Sequence, residues 1–342
     1  MDKDRVKVLF HAYTGYQLGS GHLMRCLALS KKMKQRRGAQ IYFATNYDGS
    51  LFARQEFITE IMPDDAPPQQ LKAIVGKIKP DIIVYDIPNV TEEYVGGTRL
   101  ARSLAVVFDY FNRTERLKSA DMVFNFHKVG GISNFIEGAF FEGIEYAILR
   151  DEFYQQIQAE KSRKGHFDIL LTFGNSDPFG ITRKVLDLLI NNDGAPVVFH
   201  VMLGENIKDR QYIYSLSERT GRIKCYDNVS VAELMSKMDL VFVPGGVTLY
   251  EALQMKLPSI IVCAHHFAFE LAEYLSQNGL AVNAGYYNTI DKKLLTDTLN
   301  ATLVPAKLDM LRTNMMKINI NGAEMITDIV FDAIKPKQSL KR

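Results

Sequence analysis

Glycine, serine and histidine residues are grouped at the first turn of the sequence, where a strand-like run leads into a helix-like segment. The run "RVKVLFHA" is followed by "YQLGSGHLMRCLALS" at residues 16–30. Gly19 and Gly21 flank Ser20, and His22 stands at the predicted start of a helix. Glycine lets a ligand approach the backbone closely, and a helix N-terminus favours anions. The imidazole of His22 could act as a base on water or on a hydroxyl, because imidazole titrates near neutral pH.

Two better-known phosphate-binding loops do not fit this turn. A dinucleotide-binding loop needs G-x-G-x-x-G and an acidic residue about 20 residues later. Here the third glycine is missing, and the next predicted strand ends in Thr45-Asn46. A P-loop needs G-K-[ST], and no such sequence follows. From the local sequence, His22 is either a catalytic base or a polar residue that caps a turn.

A second glycine-bearing turn lies in the C-terminal half, in "FVPGGVTLYEALQMKLP". Gly245 and Gly246 follow a strand-like run and would expose backbone N–H groups to a diphosphate. Thr248 could donate its hydroxyl to a phosphate oxygen. Glu251, one helical turn further, could accept hydrogen bonds from ribose hydroxyls. The spacing Thr248-x-x-Glu251 is also that of a capping box, so a structural role is the alternative.

A third turn, "TFGNSDPFG" at residues 172–180, also ends a strand-like run. Asp177-Pro178 has the pattern of an N-cap followed by proline at the first helical position. Gly174-Asn175-Ser176 precede that pair and could hold a phosphate or a sugar. A capped turn without a ligand is the alternative.

The elements that must position these turns alternate between β-branched runs and helical segments. Predicted strands lie around 7–13 and at 40–46, 81–87, 104–110, 121–126, 167–174, 196–204, 239–246, 258–264 and 280–285. Continuous apolar strands between helices predict parallel sheets covered on both faces. At 342 residues we expect two domains. The charged segment 150–166 is the predicted linker, which gives domains 1–155 and 156–342, and the last helix could pack back on the first domain.

Composition argues against several classes of function. The 41 Lys and Arg residues nearly balance the 39 Asp and Glu residues, so the formal net charge of +2 gives no reason to expect nucleic acid. The basic run at 31–37 is interpreted as a solvated helix end. Cys26, Cys225 and Cys263 form no CxxC pair and are interpreted as small core residues. Without a signal-peptide pattern or a membrane-length apolar run, we expect a cytoplasmic protein with no stable membrane insertion.

Four segments, in order along the chain, resemble the PseG/SpsG group. They are "GSGHLMRCLALS", "EYAILRDEF" at 145–153, "FGNSDPFGITRKVL" and "PGGVTLYEALQMKLPSIIV". PseG is the UDP-sugar hydrolase of pseudaminic acid biosynthesis, and SpsG is its relative in spore coat polysaccharide synthesis. Both are similar to the MurG glycosyltransferases, which have the GT-B fold. The resemblance covers nearly the whole chain. It implies an α/β architecture of two Rossmann-like domains whose parallel sheets face each other across a cleft.

The resemblance also implies roles for individual residues. The C-terminal domain would bind UDP, and the N-terminal domain would bring the acceptor side. His22 matches the histidine that is thought to assist water at the anomeric carbon. The residues that match substrate-binding segments are Gly19, Ser20, Gly21, Arg25, Gly174, Asn175, Ser176, Gly245, Gly246, Thr248 and Glu251. No metal or other cofactor is implied, because helix N-termini and backbone amides can supply positive potential to the diphosphate.

The chain departs from the group at several positions. Where the group has an Asn-Gln pair that contacts the donor, this chain has Ala264-His265-His266-Phe267, so His266 becomes the candidate contact and the donor sugar stays open. Asp86 and Asp109 stand at the strand ends where the group has its own aspartates. They are predicted to contact acceptor or water, with strand-end turn residues as the alternative. His266 and Glu270 share a helix face, but no third ligand is near in sequence, so a metal site is not predicted.

We therefore predict an enzyme that cleaves the anomeric C–O bond of a UDP-linked amino or deoxy sugar with water and releases UDP. The implied setting is the biosynthesis of surface polysaccharide or of nonulosonic acid. A GT-B glycosyltransferase that moves the sugar to a hydroxyl acceptor is the first alternative. A nucleotide-sugar-binding subunit without catalysis is the second. The sequence predicts no particular oligomeric state.

Overall fold

The chain forms two α/β units, each built around its own parallel β-sheet. The computed structural model describes residues 5–15, 20–47, 52, 57–63, 65–111, 113–126, 131–155, 165–191 and 194–339, with side chains in the last range as far as 334. Unit 1 comprises Met1–Leu149 together with Asn321–Arg342, and unit 2 comprises Arg150–Ile320. The sequence-based boundary after residue 155 lies a few residues beyond the start of unit 2, and the last helix falls in unit 1.

The sheet of unit 1 is parallel and doubly wound. Its strands are β1 (Lys7–Ala12), β2 (Gln40–Thr45), β3 (Ile58–Ile61), β4 (Ile82–Asp86), β5 (Leu104–Phe108), β6 (Met122–Asn125) and β7 (Ala139–Glu142). They lie in the order β3-β2-β1-β4-β5-β6-β7. The chain builds outward in one direction from β1 and then in the other from β4. In such sheets a ligand binds beyond the carboxyl ends of the strands at that reversal.

The sheet of unit 2 repeats this order. Its strands are β8 (Phe167–Leu171), β9 (Val197–Met202), β10 (Ile223–Tyr226), β11 (Leu240–Val243), β12 (Ser259–Cys263) and β13 (Val282–Tyr286). They lie in the order β10-β9-β8-β11-β12-β13, again with parallel neighbours. The reversal falls between β8 and β11, so this pair of strands is where a ligand of unit 2 is expected.

Helices cover the faces of both sheets. Those of unit 1 among the described residues are α1 (Gly21–Arg37), α2 (Pro68–Ile78), α3 (Glu92–Thr98) and α11 (Gly322–Ser339). Those of unit 2 are α4 (Ile181–Leu189), α5 (Arg210–Thr220), α6 (Val231–Ser236), α7 (Val247–Gln254), α8 (His266–Gln277), α9 (Lys292–Thr302) and α10 (Pro305–Met315). No helix in the described part of the chain is both long enough and apolar enough to cross a bilayer.

The predicted architecture of two parallel α/β sheets is confirmed, and the strands that the sequence missed share one property. These strands are β3, β7 and β10, and each lies at the edge of its sheet. Edge strands are short and face solvent in part, so they lack the continuous apolar run that identifies a central strand. Strand β3, for example, has the sequence "ITEI", and Ile58 and Ile61 are both exposed.

Helix α1 carries the basic run at 31–37, and this run is paired with acidic residues. Lys32 pairs with Glu324 at 3.3 Å, and both Arg36 and Arg37 reach Asp328 at 2.8 Å. Glu324 and Asp328 belong to α11, which packs against α1. The run does end a helix, as predicted, and it is partly exposed, but the prediction missed that it also forms one side of a helix–helix contact.

The cysteines are free thiols. Cys26 and Cys263 are buried, whereas Cys225 is half-buried at the edge strand β10. Cys26 lies on the inward face of α1 together with Leu23 and Met33. The interpretation as small core residues is confirmed for the two buried cysteines.

Candidate functional site

The first cluster of predicted residues lies at the carboxyl ends of three neighbouring strands of unit 1. Ala12, the last residue of β1, is paired with Asp86, the last residue of β4. Asp109 follows β5, which pairs with β4 on its other side. Helix α1 begins just after β1, so its first turn stands next to both carboxylates. His22 and Arg25 are three residues apart in that turn and therefore share a helix face.

Asp86 is the centre of a hydrogen-bonded network. Its Oδ1 accepts from His22 Nδ1 at 2.7 Å and from Arg25 Nη2 at 2.5 Å, and its Oδ2 accepts from Arg25 Nε at 2.7 Å. Arg25 Nη1 donates to Asp109 Oδ2 at 2.5 Å, so the guanidinium bridges the two carboxylates. Asp86 is fully buried, whereas the His22 side chain is 27% exposed. The network therefore holds the partly exposed His22 imidazole next to the buried charges of Asp86 and Arg25.

These contacts determine the charges of the buried groups. Burial alone would raise the pKa of Asp86, but the Arg25 guanidinium and His22 outweigh it and lower that pKa to about 2. Burial also opposes the charge on Arg25, yet the carboxylates of Asp86 and Asp109 raise the pKa of the guanidinium above its usual value. Asp86 is therefore an anion and Arg25 a cation at neutral pH.

The charge on Asp86 also sets the tautomer of His22. An ionised carboxylate can only accept, so His22 Nδ1 carries the proton in this hydrogen bond. In the neutral ring Nε2 then holds a free lone pair, and no described residue hydrogen-bonds to it. A histidine held at one nitrogen by a buried carboxylate and open at the other has the geometry of a general base.

Two residues that the sequence did not single out complete the cluster. The thiol of Cys26 donates to Asp86 Oδ2 at 3.2 Å, and burial together with Asp86 raises the pKa of that thiol. The ring of Phe126 lies 4.8 Å from the Arg25 guanidinium carbon. The N–H of Phe126 donates to Asp109 Oδ1 at 3.1 Å, which holds Asp109 in a left-handed conformation with φ of 51°.

In unit 2 the turn after β11 presents backbone rather than side chains. Gly245 has φ of 92°, and a Cβ there would lie 2.9 Å from Ala268 Cβ, so both conformation and space require glycine. Gly246 is the N-cap of α7, and no side chain caps the helix. The first N–H groups of α7 are therefore open to an anion.

The capping box that the sequence offered as an alternative does not form. Helix α7 begins at Val247, so Thr248 already lies inside the helix instead of capping it. Its hydroxyl has no hydrogen-bond partner among the described residues, and it stands in the first turn beside the open N–H groups. The Glu251 carboxylate, which would close such a box, is bound elsewhere.

Glu251 is buried, with 4% of its surface exposed, and it is held by an arginine. Its Oε1 accepts from Arg150 Nη2 at 3.0 Å and from Nε at 3.3 Å. Burial raises the pKa of Glu251, and the Arg150 charge acts against that rise. Arg150 lies in the segment "EYAILRDEF" that carries part of the family resemblance, but the sequence suggested no role for it.

The turn after β8 also uses a left-handed glycine. Gly174 has φ of 87° and is exposed, with open space around the position of a Cβ. Asn175 Oδ1 accepts from the N–H of Glu205 at 3.0 Å, and its carbonyl accepts from Asn206 at 3.2 Å. Asn175 thus ties this turn to the turn after β9, and Ser176 beside it is buried.

The start of helix α4 differs from the prediction. The sequence pattern placed Pro178 at the first helical position, but α4 begins at Ile181 and Gly180 is its N-cap. Asp177 still satisfies the helix end, because its two carboxylate oxygens accept from the N–H groups of Ile181 and Thr182 at 2.9 and 2.8 Å. The turn between Asp177 and the helix requires a left-handed backbone at position 180. Gly180, with φ of 62°, adopts that conformation without strain.

Comparison with known proteins finds three informative relatives. The chain is 28% identical to the uncharacterized protein MJ1062 of Methanocaldococcus jannaschii over 259 residues, which cover 72% of this chain and 53% of that protein. It is 24% identical to the spore coat polysaccharide biosynthesis protein SpsG of Bacillus subtilis, over 93% of this chain and 96% of SpsG. It is 19% identical to the UDP-2,4-diacetamido-2,4,6-trideoxy-beta-L-altropyranose hydrolase of Campylobacter jejuni, over 82% and 100%. The chain thus spans about half the length of the first relative.

Similar solved structures identify the fold of this chain. MurG of Acinetobacter baumannii superposes with a TM-score of 0.69 at 14% identity, covering 95% of this chain and 99% of MurG. The glycosyltransferase WaaG superposes with a TM-score of 0.65 at 17% identity, covering 94% and 99%. No family model matches the chain. The chain is a relative of the PseG/SpsG-like proteins and has the GT-B fold.

The predicted site residues fall into two sets within this GT-B fold. His22, Arg25, Asp86 and Asp109 are in direct contact in unit 1, with Ser20 and Gly21 at the start of α1. Gly19 lies outside the described residues. The predicted residues of unit 2 stand at the ends of the neighbouring strands β8, β11 and β12; they are Gly174, Asn175, Ser176, Gly245, Gly246, Thr248, Glu251 and His266.

The position where this chain departs from the PseG/SpsG-like group is aromatic and exposed. His266 is the first residue of α8, its side chain is 71% exposed, and its Nδ1 lies 3.4 Å from Glu270 Oε1. The ring of the preceding His265 packs edge-on against Phe179, which also contacts Tyr287. Within the described residues, no group of three or more His, Cys, Asp or Glu side chains is arranged to hold a metal.

Proposed function

We propose that this chain hydrolyses a UDP-linked amino or deoxy sugar at the anomeric carbon and releases UDP, in surface polysaccharide or nonulosonic acid biosynthesis. The observation that carries the proposal is the His22–Asp86 pair, an imidazole fixed at Nδ1 by a buried anion and open at Nε2. The relatives named for UDP-sugar hydrolysis and for polysaccharide biosynthesis support the substrate class.

The proposed step is a displacement by water. His22 Nε2 takes a proton from water while the water oxygen forms a bond to the anomeric carbon. The bond between that carbon and the diphosphate oxygen breaks, and its electron pair leaves with UDP. The imidazolium that forms is stabilised by the Asp86 carboxylate and later returns its proton to solvent.

Arg25 would keep this base in position without touching the reacting atoms. Its guanidinium bridges the two carboxylates and places one positive charge between Asp86 and Asp109. Arg25 also fixes the orientation of Asp86, and so the orientation of the imidazole bound to it. We therefore assign Arg25 a positioning role.

Another histidine of unit 1 is a poorer candidate for the base. His11 is fully buried, its Nδ1 lies 3.0 Å from the carbonyl of Ala44, and its Nε2 lies 2.8 Å from the Tyr94 hydroxyl. Burial lowers its pKa to about 4, so this ring is neutral and both its nitrogens are occupied. Such a histidine stabilises the core of unit 1 and has no nitrogen free to activate water.

Unit 2 would bind the nucleotide. The open N–H groups at Gly246 and in the first turn of α7, with the Thr248 hydroxyl beside them, suit the diphosphate and the charge that develops on it as UDP leaves. The Glu251 carboxylate would accept hydrogen bonds from the ribose hydroxyls. Backbone dipoles and hydroxyls of this kind are sufficient for the role without a metal.

A glycosyltransferase is the second candidate. The exposed residues His265, His266 and Phe267 replace the donor-contacting pair of the group, and MurG and WaaG share the fold. A sugar hydroxyl in place of water would use the same base and the same leaving group. A nucleotide-sugar-binding subunit without turnover is the third candidate, and it would not need His22.

The test is UDP release without an acceptor, measured on a panel of UDP-HexNAc and UDP-diacetamido-trideoxy sugars. We expect release by the wild type, loss of release in His22→Gln, and UDP affinity unchanged in that variant. The matched control is His166→Gln, since His166 stands before β8 and its partner is Asp168. Tight UDP binding without release from any donor would instead favour the transferase or the binding subunit.

A further inference from the structure

The Glu251 carboxylate is held on one side and open on the other. Both hydrogen bonds from Arg150 end on Oε1, at 3.0 and 3.3 Å, and no described residue donates to Oε2. Glu251 lies on α7, the helix that follows the Gly245-Gly246 turn. A buried carboxylate with one occupied oxygen is an acceptor that points in a fixed direction.

Arg150 is itself anchored on its other donors. Its Nη1 forms an ion pair with Glu152 Oε1 at 2.8 Å, and its guanidinium carbon lies 4.9 Å from the centre of the Phe153 ring. Glu152 and Phe153 belong to the short 3-10 helix Asp151–Tyr154, which begins immediately after Arg150. The planar guanidinium is therefore fixed on three sides and can impose one orientation on Glu251.

We propose that Arg150 is a positioning residue for the nucleotide, which orients Glu251 so that its open oxygen accepts a hydrogen bond from the ribose 2′-hydroxyl. This inference depends on the proposed nucleotide-binding role of unit 2. Arg150 acts through Glu251 in this scheme and does not contact the ligand. Its Nε and Nη2 donate to Glu251 and its Nη1 forms an ion pair with Glu152, so its charge is directed at these two carboxylates.

Arg150 also stabilises the ionised form of Glu251. Burial and the neighbouring Glu152 both raise the pKa of Glu251, and Arg150 is the group that opposes them. A protonated carboxyl would lose part of its capacity to accept from the ribose. Arg150 therefore favours the form of Glu251 that accepts.

The experiment compares the affinities of UDP and 2′-deoxy-UDP for the full chain, by calorimetry. A hydrogen bond from a hydroxyl to a charged group gives a preference of about 10-fold or more for UDP. We expect this preference in the wild type and its loss in Glu251→Gln. Arg150→Met should lower the preference nearly as far as Glu251→Gln, and Arg150→Lys should restore part of it. The control is Arg312→Met, since Arg312 is similarly half-buried and paired with Asp309 on α10.

Each contrary result has a distinct meaning. Equal weakening of UDP and 2′-deoxy-UDP by Arg150→Met would overturn the inference, because Arg150 would then act on the phosphates. UDP binding in the wild type without a preference over 2′-deoxy-UDP would overturn the inference but leave the proposed function standing. Failure of the wild type to bind UDP would overturn both. If Arg150→Met does not fold, Arg150→Lys alone must still lower the preference, and an unchanged preference would overturn the inference.

Discussion

The two units reverse their strand order in the same way, but the residues at the two reversals differ in kind. Between β1 and β4, charged side chains meet: Asp86 and Asp109 hold Arg25 and His22. Between β8 and β11, glycine turns and the open end of a helix dominate. Charged groups that balance one another can hold a proton acceptor in place, whereas open backbone N–H groups favour an anion. The same strand order thus places a charged side-chain network at one reversal and open backbone N–H groups at the other.

Asp86→Asn is the strongest test of this division. The amide cannot stabilise the imidazolium, and it can fix the wrong tautomer of His22, so we expect UDP release to fall about 10³- to 10⁴-fold. UDP affinity, which we propose to reside in unit 2, should stay within about twofold of the wild type. Release assays and calorimetry on one preparation measure both. The matched control is Asp81→Asn, just before the same strand, where the carboxylate accepts from the N–H of Lys7.

Arg25→Met tests how much the Arg25 guanidinium stabilises the carboxylates of the cluster in unit 1. Removing it takes this cation away from the buried Asp86 carboxylate and from the Asp109 carboxylate, which is 10% exposed, so the free energy of unfolding should fall by about 3–5 kcal/mol. Arg36→Met is the comparison, because Arg36 lies on the same helix and pairs with Asp328 in an exposed position. That variant should lose about 0.2–1 kcal/mol. Urea unfolding of both measures the difference, and equal losses would contradict this stabilisation.

The same cluster should make the protein sensitive to acid. Asp86 has a pKa near 2 in the folded chain against an ordinary value of 3.8, so its ionised form is favoured by folding. The contribution of Asp86 to the free energy of unfolding is complete above about pH 4 and is lost as pH falls through 2. The free energy of unfolding changes by about 2 kcal/mol over this range. Unfolding free energies measured from pH 5 to pH 2 should fall less steeply in Asp86→Asn. Identical slopes in the two proteins would count against the low pKa.

Thr248→Val gives the smallest expected effect and tests the other side of the comparison. Valine keeps the shape but removes the hydroxyl in the first turn of α7, so UDP should bind about 5- to 10-fold more weakly. Thr248→Ser keeps the hydroxyl and should bind as the wild type does. UDP release at saturating donor should also fall in Thr248→Val, because the hydroxyl would stabilise the charge that develops on the leaving diphosphate, and it should be unchanged in Thr248→Ser. A loss of affinity in the serine variant as well would show that the methyl group, not the hydroxyl, matters.

Local patterns in the sequence predicted the central strands, the glycine turns and the residues beside them. They did not predict which of those residues touch. His22 and Asp86 are 64 positions apart, and only the neighbouring positions of β1 and β4 bring them together. Arg150 and Glu251 are 101 positions apart, and nothing in the local sequence of either residue indicated that they pair. The partners of the basic run at 31–37 were missed for the same reason, because they lie on α11, far along the chain.

The path of the chain through the two units has a consequence for synthesis on the ribosome. Helix α11 belongs to unit 1, but it is translated after the whole of unit 2. Until then Lys32, Arg36 and Arg37 stand on a nascent α1 without their acidic partners, and unit 1 lacks one of its helices. Unit 2 is continuous and can complete its fold first, although its synthesis starts later. A premature stop directly after Ile320 would therefore release all the residues of unit 2 attached to a unit 1 that lacks α11.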